Sequence, residues 1–150
     1  MIQENQIAPD FALPNENGKI ISLNDFKGKF VVLYFYPKDM TPGCTQEACD
    51  FRDQWNLFQK LKVPILGISA DPIERHQIFH HKYELPFHLL ADPEKKVLKD
   101  YGVWQKKILY GRSFMGIVRT TVIIDPSRKI KKIFSKVKVK GHVHDVLNSL

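Results

Sequence analysis

The fold of this chain is decided by residues Tyr34–Cys49, which read Tyr-Phe-Tyr-Pro-Lys-Asp-Met-Thr-Pro-Gly-Cys-Thr-Gln-Glu-Ala-Cys. The run Phe30–Tyr36 is apolar and aromatic without a break, which predicts a strand buried on both faces of a sheet. Thr41 followed by Pro42 predicts a helix start, with a hydroxyl cap and then a proline at the first helical position. A buried strand is therefore expected to lead directly into a helix.

The predicted helix has one apolar face and should end before Pro64. Cys44 extends that face toward the amino end of the helix, so its side chain should point into a pocket and away from bulk water. The other residues of the face recur at steps of three and four: Ala48, Phe51, Trp55 and Phe58.

Both cysteines of the chain lie in this segment. In the first helical turn, unpaired N–H groups and the positive end of the helix dipole favour a thiolate at Cys44. Residues five apart in an intact helix have Cα atoms roughly 8–9 Å apart, whereas a disulfide tolerates no more than about 7 Å. Cys44 and Cys49 can therefore bond only if the helix start unwinds. From the residues alone, Cys49 stays open between a transient redox partner and an inert thiol.

Three further residues are candidates for the site. Thr41 has a structural role as a helix cap, which is compatible with a hydrogen bond to a substrate oxygen. Pro42 sets backbone geometry and would also shield a neighbouring thiolate from water. Arg119 begins an otherwise apolar stretch, so it either faces solvent at a strand end or is aimed at an active-site anion. The sequence does not decide between the two positions of Arg119.

Length and composition are those of one ordinary domain, and we expect residues 1–150 to form it. No apolar run approaches transmembrane length and the amino terminus lacks the features of a signal peptide, so we expect no membrane partner and a cytoplasmic location. In a reducing compartment, two cysteines five positions apart indicate redox or catalytic use more than a structural staple.

The net charge of +7 comes largely from the region between Arg128 and Lys140. Lysine alternates with valine over Lys136–Lys140, which predicts an exposed edge strand that its lysines protect from aggregation. An acidic partner or nonspecific contact with nucleic acid is the alternative, but no nucleic-acid motif accompanies the charge. The histidines, including His80-His81 and His142-x-His144, do not supply the ligand set of a structural metal site, so no metal is predicted.

The remaining chain predicts alternating strands and helices, and hence an α/β fold with a central sheet and a helical layer on each face. Phe11–Leu13 and Lys19–Leu23 predict an N-terminal β-hairpin, and Val63–Ala70 a buried strand parallel to the first one. Gly102–Gly116 is interpreted as a long connection. The other expected elements are helices over 71–83, 93–101 and 142–150 and strands over 87–91, 119–125 and 129–134.

The sequence resembles the bacterioferritin-comigratory, or Q-type, peroxiredoxins over nearly its whole length. The most specific part is Thr41–Thr45, Thr-Pro-Gly-Cys-Thr, with Cys49 five positions after the first cysteine. Gln105 and Val122 depart from the family pattern, where glycine and phenylalanine are usual, and both lie outside the chemistry. The other matching segments are Ala8–Phe11, Tyr34–Asp39, Glu47–Asp53, Asp71-Pro72, Tyr101–Trp104 and Gly116–Thr121.

The resemblance implies a thioredoxin-like fold and a thiol peroxidase for hydrogen peroxide and organic hydroperoxides. On the family's motif, Cys44 matches the peroxidatic cysteine and Cys49 the resolving cysteine of the same subunit, while Thr41, Pro42 and Arg119 match the other pocket positions. The implied cycle runs through a sulfenic acid and a Cys44–Cys49 disulfide, which a thioredoxin-type protein reduces. It requires no metal, haem or flavin, and it needs no second subunit, so we expect a monomer.

Two alternatives follow from the same residues. A thioredoxin-like thiol–disulfide oxidoreductase would carry Cys-x-x-Cys at the helix start, whereas four residues separate the cysteines here. A basic binding or holdase module would use the charge between Arg128 and Lys140. The first alternative predicts dithiol exchange, and the second predicts salt-sensitive binding to acidic polymers that survives loss of both cysteines.

Overall fold

The computed structural model describes residues 2–150, in which five strands form a central mixed sheet. Strand β3 lies in the middle, with β4 and β5 parallel to it on one side; on the other side β8 is antiparallel to β3, and β9 is antiparallel to β8. The strands are β3 Val31–Phe35, β4 Ile65–Ser69, β5 His88–Ala91, β8 Thr120–Ile124 and β9 Ile130–Phe134.

Alternate side chains of β3 enter two separate cores, which is why its whole length is apolar. One face of the sheet is covered by four helices, α1 Pro42–Asp53, α2 Trp55–Lys60, α3 Ile73–Lys82 and α5 His142–Asn148. The other face is covered by α4 Lys96–Asp100 together with the antiparallel pair β1 Ala12–Pro14 and β2 Ile20–Ser22.

The predicted α/β architecture is confirmed, including the buried strand before the first helix and the N-terminal hairpin. The second helical layer is smaller than expected, because a β-hairpin supplies much of it. The first helix is also shorter than expected, because it is interrupted at Gln54 (φ −103°, ψ 9°). Phe51 and Phe58 are nevertheless both fully buried, so the predicted apolar face continues across the break.

Gly102–Gly116, interpreted from the sequence as a long connection with no predicted strand, consists largely of two strands. The segment forms a hairpin of β6 Trp104–Leu109 and β7 Arg112–Ile117, with full cross-strand pairing. Its tip is Tyr110-Gly111, and both residues have positive φ (52° and 76°), as a type I′ turn requires. The turn was missed because tyrosine replaces the asparagine or aspartate that usually signals it.

The expected edge strand at Lys136–Lys140 was also wrong. Lys136 has φ +50° and the segment forms bends and turns before α5. On this side the sheet ends at β9, whose exposed positions carry Lys131 and Lys132, so the lysines that protect this edge belong to β9 and not to the segment Lys136–Lys140. Among the described residues, none of the helices has the length and hydropathy needed to cross a bilayer.

Candidate active site

Cys44 lies in the first turn of α1, which begins where the central strand ends. Thr41 is the N-cap residue and Pro42 the first helical residue, as predicted. The Thr41 hydroxyl, however, donates to the Lys38 carbonyl (2.8 Å) and does not cap the helix. Cys44 is buried, at 1% exposure, whereas Pro42 is exposed and Thr41 half-buried. A buried thiol therefore lies among the unpaired N–H groups of a helix start.

Strand pairing brings Arg119 to this helix start. Thr120, the first residue of β8, pairs with Phe35 at the end of β3, so the residue before it reaches the beginning of α1. Arg119 Nη2 donates to Cys44 Sγ at 3.4 Å, and Nη1 donates to Glu47 Oε1 at 2.6 Å. Of the two positions left open by the sequence, Arg119 therefore takes the one that is directed away from solvent, beside the Cys44 sulfur.

Glu47 belongs to this site and was missed as a site residue by sequence reasoning. It lies three positions after Cys44 on the same helix face and is fully buried. Burial raises the pKa of Glu47 to about 7, against the opposing effect of the Arg119 charge. A carboxylate on an apolar helix face requires a cation, and this signal could have linked it to Arg119.

The Arg119 guanidinium stays cationic in this setting. Burial lowers its pKa, but the negative charges of Glu47 and Cys44 outweigh burial and raise the pKa overall. The guanidinium also lies close to the backbone of α1, because a Cβ placed on Gly43 would lie 3.2 Å from Arg119 Nη2. The glycine before the cysteine therefore leaves space for the arginine.

Tyr34 forms the buried wall of the site. Its ring stacks on Phe51 with centroids 4.8 Å apart. Burial, followed by the negative charges of Glu47, Asp39 and Cys44, raises the pKa of Tyr34 well above its usual range. The phenol is therefore neutral, and Tyr34 belongs to the same buried apolar cluster as Cys44.

Cys49 lies farther along α1 and is only half-buried. Both cysteines are free. Burial, with smaller contributions from Asp53 and Asp50, raises the pKa of Cys49 despite the nearby Arg52. Cys49 is therefore held as a thiol in the folded helix.

A buried polar network holds the loop that precedes α1. The Asp39 carboxylate contacts His76 Nδ1 at 2.6 Å and accepts a 2.5 Å hydrogen bond from the Tyr36 hydroxyl. Asp71 accepts from the Asp39 backbone N–H (2.8 Å), and His76 Nε2 lies 3.0 Å from the Leu90 carbonyl. Asp39, Asp71 and His76 place candidate ligand atoms within 4.8 Å of one another. Because these atoms already have protein partners, we interpret the cluster as a structural anchor.

An open groove of about 730 Å³ leads to Arg119 from the hairpin β6–β7. Lys107 lies on it, and its pKa is lowered by burial and by the Arg119 charge, against the effect of Cys44. Apolar side chains make up most of the remaining lining: Ile108, Leu109, Phe114, Val118 and Val137. The guanidinium is thus reachable from solvent along a cationic and apolar path.

Residues 5–133 match the AhpC/TSA family. The peroxiredoxin Bcp of Bacillus subtilis is 48% identical over 149 residues, covering 99% of this chain and 95% of the relative. The bacterioferritin comigratory protein of Xanthomonas campestris, studied for alkyl peroxide reduction in trapped intermediate and ligand complexes, matches with TM-score 0.89 at 34% identity, covering 93% and 88% of the two chains. The peroxidoxin BcpB of Mycobacterium tuberculosis matches with TM-score 0.88 at 34% identity, covering 99% and 96%.

Proposed function

The chain belongs to the AhpC/TSA family and is a peroxiredoxin, a thiol peroxidase with a thioredoxin-like fold, and on that premise we propose which of its residues carry the reaction. We propose that Cys44 is the peroxidatic cysteine, Cys49 the resolving cysteine and Arg119 the cation that orients the peroxide. Thr41 and Pro42 complete the pocket at the helix start. The substrates are hydrogen peroxide and organic hydroperoxides.

The observation that carries this proposal is the 3.4 Å contact between Arg119 Nη2 and Cys44 Sγ. A guanidinium beside sulfur favours the thiolate, which is the nucleophilic form. The thiolate attacks the terminal oxygen of the peroxide, a sulfur–oxygen bond forms and the oxygen–oxygen bond breaks. The leaving oxygen takes up a proton and departs as water or an alcohol, and Cys44 becomes a sulfenic acid.

Arg119 supports this step in two ways. Its donors lie where negative charge develops as the oxygen–oxygen bond lengthens. Arg119 Nη1 donates to Glu47 Oε1 at 2.6 Å, which fixes the orientation of the guanidinium group. Glu47 is therefore proposed as a positioning residue that acts through Arg119.

The second half of the cycle needs a change of conformation. The helix keeps Cys49 away from Cys44, so the first turns of α1 must unwind before the Cys49 sulfur reaches the sulfenic acid. The two sulfurs then bond and the hydroxyl leaves as water with the thiol proton. A thioredoxin-type dithiol reduces the disulfide by exchange. Because the resolving cysteine lies in the same chain, the cycle needs no second subunit, and a monomer stays our prediction. A cytoplasmic location, where such reductants are found, also stays our prediction.

Mass spectrometry after one equivalent of peroxide tests the assignment. We expect an intrachain Cys44–Cys49 disulfide in the native sequence, a stable sulfenic acid at residue 44 in Cys49→Ser, and no peroxide consumption by Cys44→Ser. Cys49→Ser should consume one equivalent but should not turn over with thioredoxin. Full turnover by Cys44→Ser would refute the nucleophile, and normal thioredoxin cycling by Cys49→Ser would refute the resolving role.

A further inference from the structure

The hairpin arm, defined as residues 104–117, exposes an unusual amount of apolar surface near its tip. Strands β6 and β7 pair only with each other and form a separate two-stranded sheet within the described residues. The exposed fractions are 73% for Ile108, 56% for Leu109, 96% for Tyr110, 46% for Phe114 and 51% for Met115. Contiguous exposed apolar surface usually marks an interaction site.

Both faces of the arm are exposed. Met115 pairs with Lys106, and side chains alternate along a strand, so Met115 lies on the same face as Ile108. By the same alternation, Leu109 and Phe114 share the opposite face. A flat protein surface could cover only one of these faces. A medium that surrounds the tip, such as the headgroup region of a bilayer, covers both.

The charges of the arm have one sign. It contains Lys106, Lys107 and Arg112 and no acidic residue. Cations beside apolar side chains are typical of elements that bind anionic lipid surfaces. Tyr110 at the tip combines an apolar ring with a hydroxyl, which suits the membrane–water interface.

The length of the arm also fits this environment. The four residues from Lys106 to Leu109 span roughly 10 Å at the rise of a strand. Interfacial elements bury their apolar side chains about 5–10 Å into the boundary between headgroups and acyl chains. The tip can therefore enter the interface while Lys106 stays at the level of the lipid phosphates. Arg112 pairs with Leu109 beside the tip, and its long side chain can extend back to the phosphates.

We propose that the hairpin arm docks this protein on the surface of anionic phospholipid bilayers by inserting its tip among the headgroups. Lys106 and Arg112 bind lipid phosphates, while Ile108, Leu109 and Tyr110 enter the interface. The sequence alone predicts no membrane partner, because it contains no apolar run of transmembrane length, a criterion that does not detect an interfacial hairpin tip. Docking would also turn the groove that leads to Arg119 toward the lipid, but the binding itself does not depend on the proposed catalytic roles.

Cosedimentation with large vesicles tests the apolar contact. We expect the protein to bind vesicles of phosphatidylglycerol and phosphatidylcholine, to bind pure phosphatidylcholine much less, and to dissociate as salt is added. Leu109→Ser should lower the partition coefficient about fivefold. Leu61→Ser is the matched control, because Leu61 is 55% exposed and Leu109 56%. Thermal melts followed by circular dichroism establish that both variants are folded. If Leu109→Ser and Leu61→Ser lowered the partition coefficient equally, the proposal would be overturned.

A second pair of variants tests the charges. Lys106→Glu with Arg112→Glu should weaken binding at least about tenfold. Lys27→Glu with Lys60→Glu makes the same change in net charge at exposed positions outside the arm and should have a much smaller effect. Equal weakening by both pairs would reduce the binding to nonspecific net charge and overturn the proposal.

Insertion has a direct optical signature. Tyr110→Trp should show a blue-shifted emission component on addition of anionic vesicles, beyond any shift of the native protein with its two tryptophans. The alternative is that a second copy of this chain covers the arm. Analytical ultracentrifugation without lipid tests it by measuring self-association. Self-association that Leu109→Ser abolishes, or the lack of a shift in Tyr110→Trp, would overturn membrane docking.

Discussion

Arg119 and Glu47 form a 2.6 Å ion pair in which the carboxylate is fully buried, and this pair holds the second guanidinium nitrogen against the Cys44 sulfur. Two residues 72 positions apart in the chain thus fix the surroundings of one cysteine sulfur.

Glu47→Gln should slow the reaction of Cys44 with peroxide by roughly 10–100-fold, because an arginine without its charged partner is less well positioned. Thioredoxin-dependent reduction of a preformed disulfide should be unchanged, since that step does not use the guanidinium. Stopped-flow fluorescence measures the first step, and Glu94→Gln at an exposed site is the control. An unaltered peroxide rate in Glu47→Gln would contradict the positioning role.

Arg119→Lys keeps the positive charge but should still lose roughly 10²-fold or more in the peroxide step, since an ammonium lacks the planar fork that reaches both Cys44 and Glu47. Arg119→Met, which removes the charge as well, should be slower again. Alkylation of Cys44 by iodoacetamide at pH 7 provides an independent reading of sulfur reactivity in both variants. A lysine variant with the native rate would mean that charge alone suffices.

Gly43→Ala should slow the peroxide step several-fold while leaving the fold intact. The added Cβ would lie 3.2 Å from Arg119 Nη2, so the guanidinium must shift by a few tenths of an ångström. Gln46→Ala, at an exposed position of the same helix, controls for changes in helix stability. Combining Gly43→Ala with Arg119→Met should add no further loss, because the displaced group is then absent. If the losses of rate in Gly43→Ala and Arg119→Met were additive in the double variant, the added methyl group would act on a group other than Arg119.

The sequence predicted the parts of the site that depend on local pattern. The helix start at Thr41 and Pro42 and the position of Cys44 follow from capping rules and from the apolar face. The approach of Arg119 does not, because it depends on the pairing of β8 with β3, a contact between distant strands. The spacing of residues along the sequence does not determine which strands pair, and therefore does not show that Arg119 will lie beside the start of α1.

Glu47 and the hairpin arm show two other limits. Glu47 was overlooked because a charged residue among apolar ones is usually solvated, and only the guanidinium opposite makes its burial tolerable. The two strands of the arm were not predicted, because Tyr110 at the turn between them adopts a positive φ that non-glycine residues rarely take. In both cases a long-range or conformational feature overrode the local preference.

Two buried groups should give folding stability opposite dependences on pH. Burial raises the pKa of Glu47 to about 7 in the folded protein, so its contribution is fully present below the unfolded value of 4.5 and is lost as pH rises through 7. Burial, with the Arg119 charge, lowers the pKa of His142 to about 4 against the effect of Asp145. The His142 contribution is therefore fully present above the unfolded value of 6.5 and is lost as pH falls through 4.

Each effect amounts to roughly 3 kcal/mol across its window, and in the native protein the two largely cancel between about pH 4.5 and 6.5. Relative to the native protein, Glu47→Gln should gain stability as pH rises through this range, whereas His142→Gln should lose it. Urea unfolding at several pH values measures both differences, and comparison with the native protein removes the contributions of all other groups. If the two variants shift with the same sign, the burial of at least one of these groups does not govern its protonation.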